Sequence, residues 1–513
     1  MTRAIDPSQE PKEASTGLKV TTTVVSAAIV AGLVAVMCIV PSGSGVDHAV
    51  KDSSWVSEQV STRRIQQVCP AQMQLTDTES YGDAEFQAST GNLTSHVQYA
   101  AMGSIFHSQV QPLSNEGESA DATVLDGQHT DTDSVVTASS DEQRTPTEFE
   151  TRLLTAQDGT GAVGALASYA TKGDVEGISG ATCARAALTQ SFLVPATTTG
   201  NTQQLVVMNP EDQATKVTVE IWGSKGQVAS ATNSTLAVGA NSSTTLNLSA
   251  AASNEQALYV RVQSSNTAVS SVVRSVRMDG LTPKGSDFVM PLEKPATEVT
   301  MPWLGEHDEI SIMAYSEQTT AIKMSWITNH GLKSMHEIEV EAHKPFVYSP
   351  DSMPKDAVGV VAYADTPFVM NALTGTVRSG KQTDFAMVNG HQAMKQSAVA
   401  VPHAFKATVA VANTSSDSQK VEFQGIDASG SVTDSKTVEL DANSADTFNA
   451  TDLGKDVVAI RTTGDASNIV WGIALENSEV EDAGLDGVTF LEASSLQVPQ
   501  QTIAASRNQG IVH

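Results

Sequence analysis

The C-terminal three-fifths of the chain repeats one pattern of apolar and polar positions three times. Each copy opens on an apolar residue and a proline: Val194-Pro195, Met301-Pro302 and Val401-Pro402. A short apolar run follows (LVVMNP, ISIMAY or TVAVAN), closing at Asn209, Tyr315 or Asn413. Next comes a run alternating with period two (KVTVEIW, AIKMSWI or KVEFQGI), which predicts a strand with one buried face. Each run leads to a glycine, Gly226, Gly331 or Gly430, placed 17, 16 and 17 residues past the closing residue. Glycine there tolerates the positive φ of a tight turn. Counting back from it aligns Val217 with Ile322 and Val421, Val219 with Met324 and Phe423, and Ile221 with Trp326 and Gly425. These positions form the predicted inner face.

Two further strand–turn–strand patterns complete each copy. About seven short strands then recur every ~100 residues, the expectation for a sandwich of immunoglobulin type. The fold class read from this is mainly β: an N-terminal transmembrane helix followed by tandem immunoglobulin-like β-sandwich domains, arranged as a rod. Propeller blades fit less well, because three seven-strand units do not make a ring of four-stranded sheets. The predicted organisation is a cytoplasmic tail (1–19), a signal-anchor (20–40), a stalk (41–68) and an N-terminal extracytoplasmic domain (69–190). Sandwich repeats then cover 191–296, 297–396 and 397–495, and a tail covers 496–513. A Ser/Thr/Asp/Glu/Gly-rich stretch near 114–144 reads as a mobile acidic loop, because it has too little apolar surface to offset ordering entropy.

Residues 20–40 hold no charge. Twenty-one helical residues cross about 30 Å of hydrocarbon. The segment is therefore expected to enter the lipid bilayer, leaving the C-terminal bulk extracytoplasmic. The alternative is a secreted protein, with a signal peptide cut near Ser42-Gly43-Ser44. Three cysteines are present, Cys38 inside the apolar segment and Cys69 and Cys183 beyond it. Two cysteines in an exported chain predict one disulfide, Cys69–Cys183.

Aromatics make up 5% of the chain, charged residues 17%, and the net charge is −28. Such a body is repelled by phosphate backbones, so no nucleic-acid partner is expected.

The Cys69-Pro70 pair, the Gly-rich run GDVEGISGATC ending at Cys183, and repeats such as NP…VTVEIWGSKGQV…LAVGANSSTTLNL resemble a family of actinobacterial exported proteins. That family is classed only as a domain of unknown function. The resemblance covers most of the chain from about residue 69. It implies an envelope component associated with glycan assembly, and brings no catalytic residues. The middle copy departs from its pattern, with Tyr315-Ser316 where the first has Asn209-Pro210.

Little chemistry is visible. His336 and His343 in HEIEVEAH stand seven apart on an alternating strand, not four apart on a helix as a zinc-protease pair requires. The GEHDE stretch ending at Glu309 occurs in one copy only. The aspartates from Asp126 lack the spacing of a calcium loop. Ser352-Met353-Pro354-Lys355 matches Ser-x-x-Lys without its companion motifs. No catalytic residue, metal site or cofactor is predicted. Trp222 and Trp303 are the candidate glycan platforms, since exposed aromatics stack on sugar rings; edge packing is the alternative. The expected function is a non-catalytic, membrane-anchored scaffold or interaction protein of the cell envelope, supporting glycan assembly, with envelope proteins or glycans as partners. A glycan-binding adhesin is the alternative and an envelope enzyme the distant one.

Overall fold

The computed structural model describes residues 55–61, 63–75, 88–114, 122–125, 131–228, 235–305, 308–377, 379–497 and 500–506. The predicted tail and the apolar segment 20–40 lie outside the described residues. Among the described residues no helix is long and apolar enough to cross a membrane. The described residues are mainly β, with only short helical turns among them. Strands Trp55–Ser61 and Gln500–Ser506 pair in a two-stranded sheet. They fall in stretches read as stalk and C-terminal tail.

Four inner sheets organise the rest. In the N-terminal quarter, β1 (Thr94–Met102), β2 (Val135–Asp141), β3 (Gly161–Ala170) and β4 (Gly177–Thr182) pair in the order β2-β1-β3-β4. Repeat 1 has β5 (Asn201–Asn209), β6 (Ser242–Asn247), β7 (Ser270–Asp279) and β8 (Thr282–Val289), ordered β6-β5-β7-β8. Repeat 2 has β9 (Glu309–Ser316), β10 (Phe346–Tyr348), β11 (Ala357–Gly375) and β12 (Phe385–Asn389), with β11 flanked by β9 and β12 and β9 by β10. Repeat 3 has β13 (Lys406–Asn413), β14 (Ala445–Asn449), β15 (Ile469–Glu476) and β16 (Thr489–Glu492), ordered β14-β13-β15-β16. The same arrangement therefore occurs four times, and the N-terminal quarter is a further copy rather than a different domain.

In the N-terminal quarter and in repeats 1 and 3 a separate outer sheet covers one face of the inner sheet, whereas in repeat 2 the long strand β11 runs through both layers as one seven-stranded sheet. In repeat 1 the outer sheet runs Thr189–Pro195, Ala257–Ser264, Thr215–Gly223. With the short strands Gly226–Gln227 and Thr235–Val238 set aside, the third strand of the repeat pairs with the fifth, and the second with the sixth. The immunoglobulin order pairs the second with the fifth and the third with the sixth. The strand count fits the sandwich expectation, but the pairing is different. The outer sheet of the N-terminal quarter uses Arg64–Cys69, which reads as stalk, and Thr123–Leu125, which together with β2 lies inside the stretch read as a mobile loop. Val135 and Val136 are buried, which anchors that end of β2 despite its polar surroundings.

The four inner sheets close on themselves. β4 lies against β8, β8 against β12, β12 against β16, and β16 against β4. Continuous cores link each quarter to the next. Val206, Met208 and Phe288 of repeat 1 pack with Tyr99 and Cys183. Met313, Tyr315 and Leu373 of repeat 2 pack with repeat 1. Ala410, Ala474 and Phe490 of repeat 3 pack with repeat 2. Ala100, Met102 and Ala165 complete the circuit by packing with repeat 3. Four sets of four inner strands around an axis, three of them separate sheets and the one in repeat 2 part of a seven-stranded sheet, form a propeller-like ring. This replaces the expected rod and reverses the argument against blades, because the fourth blade comes from the N-terminal quarter.

Burial on two faces explains the closure. Gly161–Ala170 is buried along its whole length, and Ile469–Glu476 up to its last residue. Outer strands such as Thr215–Gly223 alternate buried and exposed positions at their start. A strand buried on both faces needs another layer on each side.

Candidate functional site

The axis of the ring is held by buried carboxylates. The motif Ser286-Asp287-Phe288-Val289-Met290 in repeat 1 recurs as Thr383-Asp384-Phe385-Ala386-Met387 in repeat 2. Each aspartate reaches backbone donors of neighbouring blades. Asp287 Oδ1 accepts from the Gly180 N–H at 2.9 Å and the Thr489 hydroxyl at 3.0 Å, and its Oδ2 accepts from the Met387 N–H at 2.8 Å. One side chain thus ties β8 to β4, β12 and β16. Asp384 Oδ2 accepts from Ile178 N–H at 2.8 Å and Val488 N–H at 3.0 Å, and Oδ1 from Phe385 N–H at 3.0 Å. Glu492 accepts from Asn389 N–H at 2.9 Å. Burial raises Asp287 to about 8, against the pull of its donors, and raises Asp384 well above the carboxylate range, with Asp287 adding repulsion.

Glycines make room for this hub. Gly177 (φ 122°) and Gly285 (φ 101°) have left-handed backbones, and a Cβ at either would stand 2.5 Å from an Asp384 oxygen. The Gly-rich run before Cys183 therefore serves the axis.

A cavity of about 340 Å³ opens where β4, β8, β12 and β16 end. Its ionisable lining is Arg185, Glu293, His391 and Glu492. His391 Nδ1 stands 3.0 Å from Glu293 Oε1 and Nε2 stands 3.8 Å from Glu492 Oε1, ion-pair contacts rather than aligned hydrogen bonds. Burial alone would depress the imidazole, but the two carboxylates outweigh it and raise it to about 10. Burial opposes ionisation of Glu293, and the imidazolium overrides it, holding this carboxyl below its ordinary range. Arg185 donates to the Ser495 carbonyl at 2.7 Å, and burial lowers its pKa. Among the described residues no ion pair joins it to a carboxylate. Gln67 and Gln190 also line the cavity, and each has a buried Oε1 with no donor.

A protonated His391 cannot act as a base near neutral pH, and the hub carboxylates are occupied by main-chain donors.

The residues singled out from sequence fall elsewhere. Trp222 is 7% exposed and packs on Tyr259 with Arg261 over its ring. Trp303 is 9% exposed and lies parallel to Phe490 at 5.3 Å. Both are buried because neighbouring blades cover the faces that a platform would offer. Cys69 and Cys183 are joined in a disulfide. Gly226, Gly331 and Gly430 all have positive φ, at 94°, 111° and 80°. A side chain at Gly430 would also collide with the Val135 carbonyl across the ring seam. Glu337 and Glu339 point to solvent from strand Gly331–Val340. Ser352 and Lys355 line a separate cavity of about 270 Å³ with Asp308 and Asp351. Glu306, His307 and Asp126 lie outside the described residues, and Glu309 pairs with Arg277 at 3.0 Å.

Two polar features are shared between copies. Asn209 Nδ2 donates to the Gln213 and Gly239 carbonyls at 2.8 Å, and Asn413 Nδ2 donates to those of Asp417 and Asp441 at 2.8 Å. In the middle copy Ser316 replaces this clamp with a single bond to the Pro367 carbonyl at 3.0 Å. The second shared feature is the axial aspartate motif. It lies at the last strand of repeats 1 and 2, with Thr489 at that place in repeat 3, so the turn glycines earlier in each copy do not mark it.

A family of unknown function (DUF5719) matches residues 136–451. No curated protein matches, and no solved structure matches.

Proposed function

Because the chain belongs to the DUF5719 family, whose function is unknown, we propose its role from the geometry of the ring. The protein is a non-catalytic extracytoplasmic interaction module of the cell envelope, anchored through residues 20–40, that holds a hydroxyl-rich ligand, the end of an envelope glycan, in the axial cavity. The observation that carries this is the lining of that cavity. A guanidinium with no carboxylate partner and two amide oxygens with no donor among the described residues meet the hydroxyls of Thr189, Ser494 and Ser495 in one recess. Hydroxyl groups of a sugar satisfy such donors and acceptors together. The size agrees, since ligand sites begin at about 300 Å³. The extracytoplasmic placement draws on the Cys69–Cys183 disulfide, which requires an oxidising compartment.

The test is binding of the full-length protein to envelope polysaccharide fractions by calorimetry, with Arg185→Ala and Gln190→Ala. At least tenfold weaker binding is expected in both variants at unchanged circular dichroism. Binding by wild type that both variants retain would move the site elsewhere, and absence of binding would remove the glycan reading.

A further inference from the structure

The ring closes between the N-terminal quarter and repeat 3, and three metal-ligating side chains meet at that seam. His96 is on β1, Asp141 ends β2, and His403 follows the proline that opens repeat 3. His96 Nδ1 stands 2.7 Å from Asp141 Oδ1, and His403 Nε2 stands 3.2 Å from the same oxygen. The two imidazole centroids are 4.1 Å apart. The three ligand atoms lie within 4.8 Å of one another.

We propose that His96, Asp141 and His403 bind one divalent transition-metal ion of the zinc class, which clasps the first and last blades of the ring. Ligands in a tetrahedral zinc site stand roughly 3.3 Å apart, at bond lengths of about 2.0–2.1 Å. The His403–Asp141 separation of 3.2 Å is close to that value, and the His96–Asp141 separation of 2.7 Å opens to it with a small shift of the exposed Asp141 side chain. Both rings aim a nitrogen at one carboxylate oxygen, and a metal takes the place of the protons that they would otherwise share with it. His403 is half-exposed, so a small turn of its ring completes the set. Tyr169 and Phe405 flank His96 at 6.3 Å, a wall on one side of this imidazole. A cavity of about 420 Å³ begins at His403 and Phe405, giving the ion an entry path and room for a water as fourth ligand.

The site also has a mechanical role. Gly430 packs against the Val135 carbonyl, and Thr137 donates to the Ala428 carbonyl at 2.8 Å. These few polar contacts join β2 to repeat 3, and the metal adds ligand bonds from β1 and β2 to the same repeat. A ligand that binds only the closed ring stabilises it by mass action.

The experiment uses the full-length protein, stripped with chelator and titrated with Zn²⁺ and separately with Co²⁺. One equivalent of Zn²⁺ is expected, with a visible Co²⁺ absorption of four-coordinate type that Zn²⁺ abolishes. Zn²⁺ should raise the Tm of the wild type by several degrees. His403→Ala, at an exposed position where the fold is retained, and Asp141→Asn should each weaken binding at least a hundredfold and abolish the Tm shift. Failure of the wild type to bind one equivalent, or equal binding by His403→Ala, would leave the triad as a histidine–aspartate ion pair and end the proposal. The glycan reading is independent of either result.

Discussion

The carboxylate of Asp287 accepts the backbone N–H of Gly180, 107 residues earlier in the chain, at 2.9 Å. The same side chain holds Met387 and Thr489, so the last strands of all four blades are tied through one residue. Replacing it with alanine leaves three donors without partners in the interior, each costing about 1–3 kcal/mol. Asp287→Ala should therefore destabilise the ring by roughly 3–5 kcal/mol in denaturant unfolding. Hydrogen exchange should show Gly180 and Met387 losing protection together. Independent exchange at the two amides would contradict a shared hub.

The hub also carries a pH dependence of defined sign. The Asp287 pKa is raised in the folded state from an ordinary value of 3.8 to about 8. Its protonated form is the one favoured by folding, so its contribution is present below pH 3.8 and is lost as the pH rises through about 8. Asp287→Asn places an amide donor against main-chain donors and costs stability at every pH. The gap between wild type and this variant should narrow from pH 5 to pH 8. A gap that widens over that range would show that the carboxylate is ionised throughout.

At the cavity the sign belongs to a pair. His391 is raised from 6.5 to about 10, so its contribution is full below pH 6.5 and disappears as the pH rises through 10. Glu293 is held below 4.5, so its contribution is full above that and disappears on acidification through its folded value. The interaction is therefore greatest between about pH 4.5 and 6.5. His391→Gln should cost about 1–3 kcal/mol there, because Glu293 is partly exposed and solvent weakens the pair. Thermal scans from pH 5 to 10 should show the two proteins converging. A constant difference would assign the cost to packing instead.

The alternating outer strands were legible because a half-buried strand writes its environment into a period of two. Val217, Ile322 and Val421 sit in the core as that period requires. The layer to which the inner strands belong was not legible, because stretches such as GAVGALASYA are buried on both faces and show no alternation. That missing alternation was itself the sign of a closed ring. The N-terminal copy was obscured by the polar segments between its strands and by its different turn sequence. The axial aspartates are visible as Ser286-Asp287-Phe288 and Thr383-Asp384-Phe385, but nothing in the sequence places the two at one axis. His96, Asp141 and His403 come from three distant segments, and only tertiary structure brings them together.

The Cys69–Cys183 disulfide links residues 114 apart, joining the first outer strand of the N-terminal quarter to the end of its last inner strand. Constraining a loop of that order contributes about 4–5 kcal/mol in the chain-entropy account. Reduction, or the double change Cys69→Ala with Cys183→Ala, should lower stability by that order. Gly164 lies directly beneath the sulfur, where a Cβ would collide with Cys183 Sγ. Gly164→Ala should therefore destabilise the oxidised protein more than the reduced one. Peptide mapping without reductant should recover Cys69 and Cys183 in one linked fragment; free thiols at both would remove this constraint.

Trp303 separates packing from glycan contact. Its ring lies parallel to Phe490 of the following repeat, with an interplanar angle of 4°. Removing a buried tryptophan costs about 3–5 kcal/mol. Trp303→Ala should lower the Tm and loosen the contact between repeats 2 and 3, seen as faster exchange in β16. Trp222→Ala should do the same in repeat 1, where Tyr259 and Arg261 lose their contacts. Polysaccharide affinity, measured well below each variant's transition, should match that of the wild type. A tenfold loss of affinity at unchanged Tm would show that these rings touch the ligand and would restore them as platforms. Loss of stability with affinity retained assigns both tryptophans to the packing of the ring.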